Sequence, residues 1–203
     1  MNEIETFVRA DRALKAVVDQ IRDDQWDMQL PPDFQTMGSG GDYTLREILD
    51  YQAYDEAWIP TMMAGTSIDE AGADAFGDPF GNDLLGDDPR KRFGELVDKS
   101  IEAVQGLDET VLDERTVHYS YGDYPAREAL WHAIVFRTSR AHDLAEAIGV
   151  DSDLPDDLVK AAWEIVEPNA EEWRQVGVFG PKVEVPDSAP LQDRLLGLMG
   201  RQP

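Results

Sequence analysis

Few side chains in this chain can do chemistry. There is no cysteine, which excludes disulfides, thiolate metal sites, iron–sulfur clusters and a cysteine nucleophile, so any thiol chemistry needs a thiol from outside. The histidines are His118, His132 and His142. On one helix, the spacing of His132 and His142 sets them about 80° apart around the axis and about 15 Å apart along it, too far to share a metal ion. Taken singly, each reads as a lone ligand or as an ordinary hydrogen-bonded helix or surface residue. Tyr51, Tyr54, Asp55 and Trp58 recur at helical spacing and either line a pocket with hydroxyls and a carboxylate or pack as an amphipathic rim. Arg137 and Arg140 interrupt an apolar helical stripe, Arg140 lying four residues after Phe136 and four before Leu144. A guanidinium there must reach solvent, the expected outcome, or pair with a carboxylate, because an unpaired buried charge is prohibitively costly. Gly38-Ser39-Gly40-Gly41 lacks the Lys-Ser/Thr of a phosphate-binding loop and reads as a flexible connector; no Gly-x-Ser-x-Gly or His-Glu-x-x-His occurs.

The elements that must position these groups follow from apolar periodicity. Phe7, Leu14, Val17, Val18 and Ile21 predict a first helix over residues 4–21, followed by a long loop over 30–41 containing Pro31 and Pro32. Thr44 and Glu47 form a capping box that opens a second helix running to Met63 with Leu45, Ile48, Leu49, Trp58 and Ile59. The Gly- and Asp-rich stretch 65–87 reads as a surface loop. Asp88-Pro89 opens a third helix to Gly106, and Pro125 a fourth, closed by Gly149. Between them, residues 116–121 are β-capable but read as too short and isolated for a sheet. A fifth helix over 155–173 should be kinked or interrupted at Pro168, residues 176–186 form an extended strap, and a short helix over 191–199 follows. This order predicts an all-α fold, an antiparallel up-down four-helix bundle over residues 1–150, with a C-terminal helical and extended appendage over 151–203 packed on it.

Composition bounds the partners. With 42 acidic and 18 basic residues the formal net charge is −24, which repels nucleic-acid phosphates and anionic lipid headgroups. No apolar run approaches the roughly 20 residues of a membrane span and no signal-peptide pattern is read, so the expected state is soluble and cytoplasmic, with neither nucleic acid nor membrane as partner, as a monomer or homodimer.

Trp26, Pro31-Pro32 and Tyr43-Thr44-Leu45-Arg46-Glu47-Ile48-Leu49-Asp50-Tyr51, then Tyr121-Gly122-Asp123-Tyr124-Pro125-Ala126, then Ala141-His142-Asp143-Leu144-Ala145, and finally Phe179-Gly180-Pro181 with the segment from Ala189 through Arg201 to Pro203 together resemble the DinB-like, mycothiol-dependent maleylpyruvate isomerase-related metal-binding family along essentially the whole chain. The resemblance implies a bundle that holds a divalent zinc or nickel ion with a histidine on the second helix and a pair one turn apart on the fourth, and in some relatives activates a low-molecular-weight thiol such as mycothiol. Aligned residue by residue, those ligand positions fall at Tyr51, Phe136 and Arg140. Phe has no donor atom, Arg stays protonated and neutral Tyr is a poor ligand, so no metal is expected there.

Three functions follow as expectations. The first is a small-molecule-binding descendant without the family metal site, with Tyr51, Tyr54, Asp55, Trp58, His132, Phe136 and Arg140 lining its pocket. The second is a metal-dependent, thiol-dependent isomerase or transferase whose metal sits on another set, such as Asp50, Asp55 and His132. The third is an interaction protein with an acidic docking surface. In the first, Arg140 replaces the lost cation by pairing with Asp55, or failing that Asp50, with the Tyr51 hydroxyl donating to the same carboxylate.

Overall fold

The computed structural model describes residues 1–32, 34, 43–72, 75–78, 81 and 83–203. The chain is mostly helical: α1 (Glu3–Val18), α2 (Leu45–Met63), α3 (Ile68–Ala71), α4 (Pro89–Gln105), α5 (Ala126–Ile148), α6 (Asp156–Gln175) and α7 (Leu191–Leu198), with a small sheet of β1 (Thr116–Tyr119) and β2 (Gly122–Pro125). The third and fourth helices of the sequence reading are thus α4 and α5. No helix among the described residues is long and apolar enough to cross a membrane. The glycine run 38–41 lies outside the described residues.

Local chemistry sets the helix ends. Asn2 with Glu5 and Thr44 with Glu47 form capping boxes at α1 and α2, and Asp88 accepts from the Lys91 amide where Pro89 opens α4. Gly149 closes α5 at φ 72° and ψ 38°, a left-handed conformation that costs glycine nothing. Pro60 lies inside α2, so the Glu56 carbonyl one turn earlier loses its helical donor; the Ser100 hydroxyl from α4 donates to it instead, at 2.9 Å.

The helix α1 lies against α5, α4 and α6, α2 against α4, and α7 against α6. One buried apolar cluster joins Leu14 and Val18 of α1, Leu45 and Leu49 of α2, Phe93 and Val97 of α4, and Leu144 of α5 to Trp173, Leu195, Leu196 and Met199 near the C-terminus. A second gathers Phe7, Trp58, Ile59, Val117, Leu130 and Ile134 at the end where the sheet sits.

Three elements differ from the sequence reading. Residues 116–119 do form a sheet, as an antiparallel hairpin in which Thr116 faces Pro125 and Tyr119 faces Gly122. Gly122-Asp123-Tyr124-Pro125 is its second strand, and Tyr119, Tyr121 and Tyr124 pack together across it. The stretch 65–87 contains α3, opened by a Ser67–Glu70 capping box of the same type as the one that opens α2. Pro168 does not interrupt α6, where the neighbouring Asn169 amide donates to the Ile165 carbonyl at 2.7 Å. The strap beyond α6 carries no regular strand; it is tied by the Val183 amide to the Gly197 carbonyl and by Arg174 to the carbonyls of Gly180 and Leu198.

Candidate functional site

The charged centre of the molecule is Arg137. It lies on α5, one turn beyond Ala133, and its side chain is fully buried rather than solvated as the sequence reading expected. Its guanidinium meets three carboxylates: Nε donates to Asp11 Oδ1 of α1 at 2.5 Å, Nη1 lies 3.1 Å from Asp55 Oδ2, and Nη2 lies 2.8 Å from Glu56 Oε1, both of α2. Nη1 also reaches the Ala133 carbonyl at 3.3 Å, and the Phe7 ring lies 4.9 Å from the guanidinium carbon. Asp11, Gln52 and Glu56 are fully buried, while the Asp55 side chain is 29 % exposed and is the one carboxylate of the three that reaches solvent. Burial first, then repulsion from Glu56, holds the Asp11 carboxyl well above the usual range against the pull of Arg137. Asp55 is raised for the same leading reason.

Beside this centre the seam between α2 and α5 brings Tyr51, Phe136 and Arg140 together. The Tyr51 and Phe136 rings meet edge to face at 6.4 Å, and the Arg140 guanidinium lies 5.2 Å from Phe136 and 5.0 Å from Phe34. Arg140 is buried, and burial brings its pKa down to about 10 although Asp143 opposes the shift. Burial likewise pushes the Tyr51 hydroxyl up to about 12, with Asp55 adding to the shift and Arg140 opposing it. Tyr51, Phe136 and Arg140 therefore meet as a packed aromatic–guanidinium contact. A ring carbon edge, a phenol held neutral and a protonated guanidinium cannot hold zinc or nickel, and the metal that the resemblance implies does not fit this set.

The remaining candidates separate. Asp55 pairs with Arg137, not with Arg140, because residue 137 rather than 140 projects at its level. Asp50 caps the approach to α4, accepting from the Leu84 and Leu85 amides at 2.7 and 3.1 Å. His132 sits in an aromatic cluster with Tyr119, Tyr121, Tyr124 and Trp173, ring centroids 4.7–6.1 Å away, and burial lowers its pKa. Asp50, Asp55 and His132 are thus committed to three different structures, and among the described residues no group of three or more His, Asp or Glu side chains could hold a metal ion. Trp58 is buried between Tyr54 and Phe76. His118 pairs with Asp123 across the hairpin at 2.7 Å, and His142 faces the Ser152 carbonyl at 3.3 Å.

The sequence reading missed Asp11, Gln52 and Glu56. A signal was present: Asp11 continues the stripe of Phe7, Leu14 and Val18, and Gln52 and Glu56 continue that of Ile48, Leu49, Ile59 and Met63, so each places a polar group on a core-facing position. The C-terminal segment and the Asp-Leu-Ala stretch also meet, through a forked pair of Arg201 on Asp143 with both shortest contacts at 2.8 Å. No family model, curated protein or solved structure matches the chain.

Proposed function

We propose that this chain is a DinB-like antiparallel four-helix-bundle protein, related to mycothiol-dependent maleylpyruvate isomerase, that has exchanged the family metal site for a packed seam and binds a small molecule in the cytoplasm. The observation that carries the reading is the convergence of Tyr51, Phe136 and Arg140. Tyr51 contacts Phe136 and Phe136 contacts Arg140 across the two helices, and none of the three is a competent metal donor. Tyr51, Tyr54 and Asp55 of α2 are half-buried at this seam and supply its polar groups toward a ligand.

The test is elemental analysis of the untagged protein after dialysis against a mild chelator, together with a thermal-shift screen of polar metabolites and low-molecular-weight thiols. Less than a tenth of an equivalent of zinc or nickel, with a ligand shift lost in Tyr51→Phe and Asp55→Asn, is the expected result. Near-stoichiometric metal with thiol-dependent turnover would replace this reading with the metal-dependent isomerase or transferase.

A further inference from the structure

The buried centre holds more carboxylates than one guanidinium can neutralise. Asp55 reaches solvent, but Asp11 and Glu56 do not, and the way they share Arg137 sets them side by side. Nε–H and the facing Nη2–H form one edge of the guanidinium fork, the edge that a single carboxylate normally occupies with both oxygens. Here Asp11 Oδ1 accepts from Nε, while Glu56 Oε1 lies 2.8 Å from Nη2, which has no hydrogen-bond partner among the described residues. The second oxygens, Asp11 Oδ2 and Glu56 Oε2, are buried without a hydrogen-bond partner among the described residues, as is Oε1 of the fully buried Gln52, whose amide nitrogen donates to Glu56 Oε1 at 3.0 Å. Two adjacent buried anions on one cation leave a full uncompensated charge, which a protein interior does not sustain.

We propose that Asp11 and Glu56 share one proton at neutral pH, so that the centre is a pH-sensitive clasp joining α1, α2 and α5. Asp11 accepts from Arg137 Nε alone, at Oδ1, and its raised carboxyl carries the proton at Oδ2, while Glu56 Oε1 takes the Gln52 amide. The charged groups facing Asp11 are Glu56 and Asp55 from α2 and Arg137 from α5. The uncharged Ser100 of α4 bonds to the Glu56 carbonyl, and Asp157 of α6 pairs with Arg9 at 3.1 Å. When the pH rises, the O–H bond on the pair breaks and the proton passes to solvent base. Two buried anions then face Arg137, and Asp11, the charged group that α1 brings to the centre beside the Phe7 ring, is repelled by Glu56, which loosens the clasp.

The experiment is infrared spectroscopy of the full chain near neutral pH, reading the carbonyl stretch of an un-ionised carboxylic acid, in the natural protein, Asp11→Asn and Glu56→Gln. Melting temperature is followed in parallel from neutral to mildly alkaline pH. The natural protein should show the band, and each substitution should remove it, because either change leaves a single fully buried acid beside Arg137, with Asp55 partly exposed. The melting temperature of the natural protein should fall on alkalinisation, while that of Asp11→Asn, whose amide imitates the protonated acid, should not. Absence of the band in the natural protein overturns the proposal, and so does a band that survives either substitution. Absence of the band combined with stabilisation by added potassium or sodium would give the site to a bound cation instead and overturn it equally. Carbon-13 spectra of labelled aspartate in the natural protein give the same reading should either variant fail to fold.

Discussion

Arg137 orders three carboxylates from two other helices, and the energetics of that arrangement are asymmetric. Arg137→Met strands Asp11 and Glu56 without a cation in a site closed to water, and should cost about 3–5 kcal/mol in chemical denaturation. Asp55 is nearly a third exposed, and its amide analogue still offers Nη1 an acceptor, so Asp55→Asn should cost less than about 1 kcal/mol. A double-mutant cycle separates the two arginines: Asp55 should couple to Arg137 by more than about 0.5 kcal/mol and to Arg140 by less. A larger coupling to Arg140 would mean that the ion pairs in this seam are partnered otherwise than described.

At the scale of elements, the strap and α7 hold each other through a glycine. A Cβ on Gly197 would lie 2.6 Å from Val185 Cγ2 and 2.8 Å from the Val183 carbonyl oxygen, and that residue's amide donates to the Gly197 carbonyl. Gly197→Ala must therefore push the strap away from α7. Hydrogen exchange over residues 176–190 should accelerate in this variant while that of α1 and α2 is unchanged. The cap of α2 makes a second test. Thr44 accepts from the Glu47 amide while Glu47 reaches back to the Thr44 amide, so Thr44→Ala should cost about 1 kcal/mol of global stability, measured by thermal unfolding.

For the whole molecule, the excess of 42 acidic over 18 basic residues makes the surface self-repelling. Monovalent salt should therefore raise the melting temperature, since it screens many repulsions at the cost of few exposed ion pairs; a fall on adding salt would show that the ion pairs dominate. The pH profile has two limbs of opposite sign. The hydrogen bonds from Arg46 and Arg127 hold Asp83 and Asp113 below the usual carboxylate range, so the stability they contribute is present above their unfolded pKa of about 3.9 and lost as pH falls through the depressed values. Burial holds Asp11 and Asp55 above that range, so their contribution is complete below about pH 3.9 and lost as pH rises through the raised values. The buried His132 adds to the acid limb: its depressed pKa contributes stability above about pH 6.5, lost as pH falls below that value.

The helices were legible because their causes are local. Period, caps and stop residues lie within a few positions of one another, as with Thr44 and Glu47, Asp88-Pro89 and Gly149. The mutual approach of Tyr51 and Phe136 was expected only through the family resemblance, which puts both at ligand positions on facing helices. Which carboxylate meets which arginine was not legible, because that depends on the axial offset between helices, and a shift of one residue moves a side chain about 1.5 Å along the axis and about 100° around it. That offset gives Asp55 to Arg137 rather than to Arg140. It also turns three polar residues on apolar stripes, Asp11, Gln52 and Glu56, into one buried centre. The hairpin at 116–125 was hidden for the complementary reason: neither strand is stable alone, and Val117, at its centre, is buried only because the apolar cluster of Leu130 and Ile134 lies beneath it. Sequence alone determined where the chain turns and which faces are apolar; tertiary packing decided which buried charges face one another, because electrostatic partnership is a property of distance between elements and not of position along them.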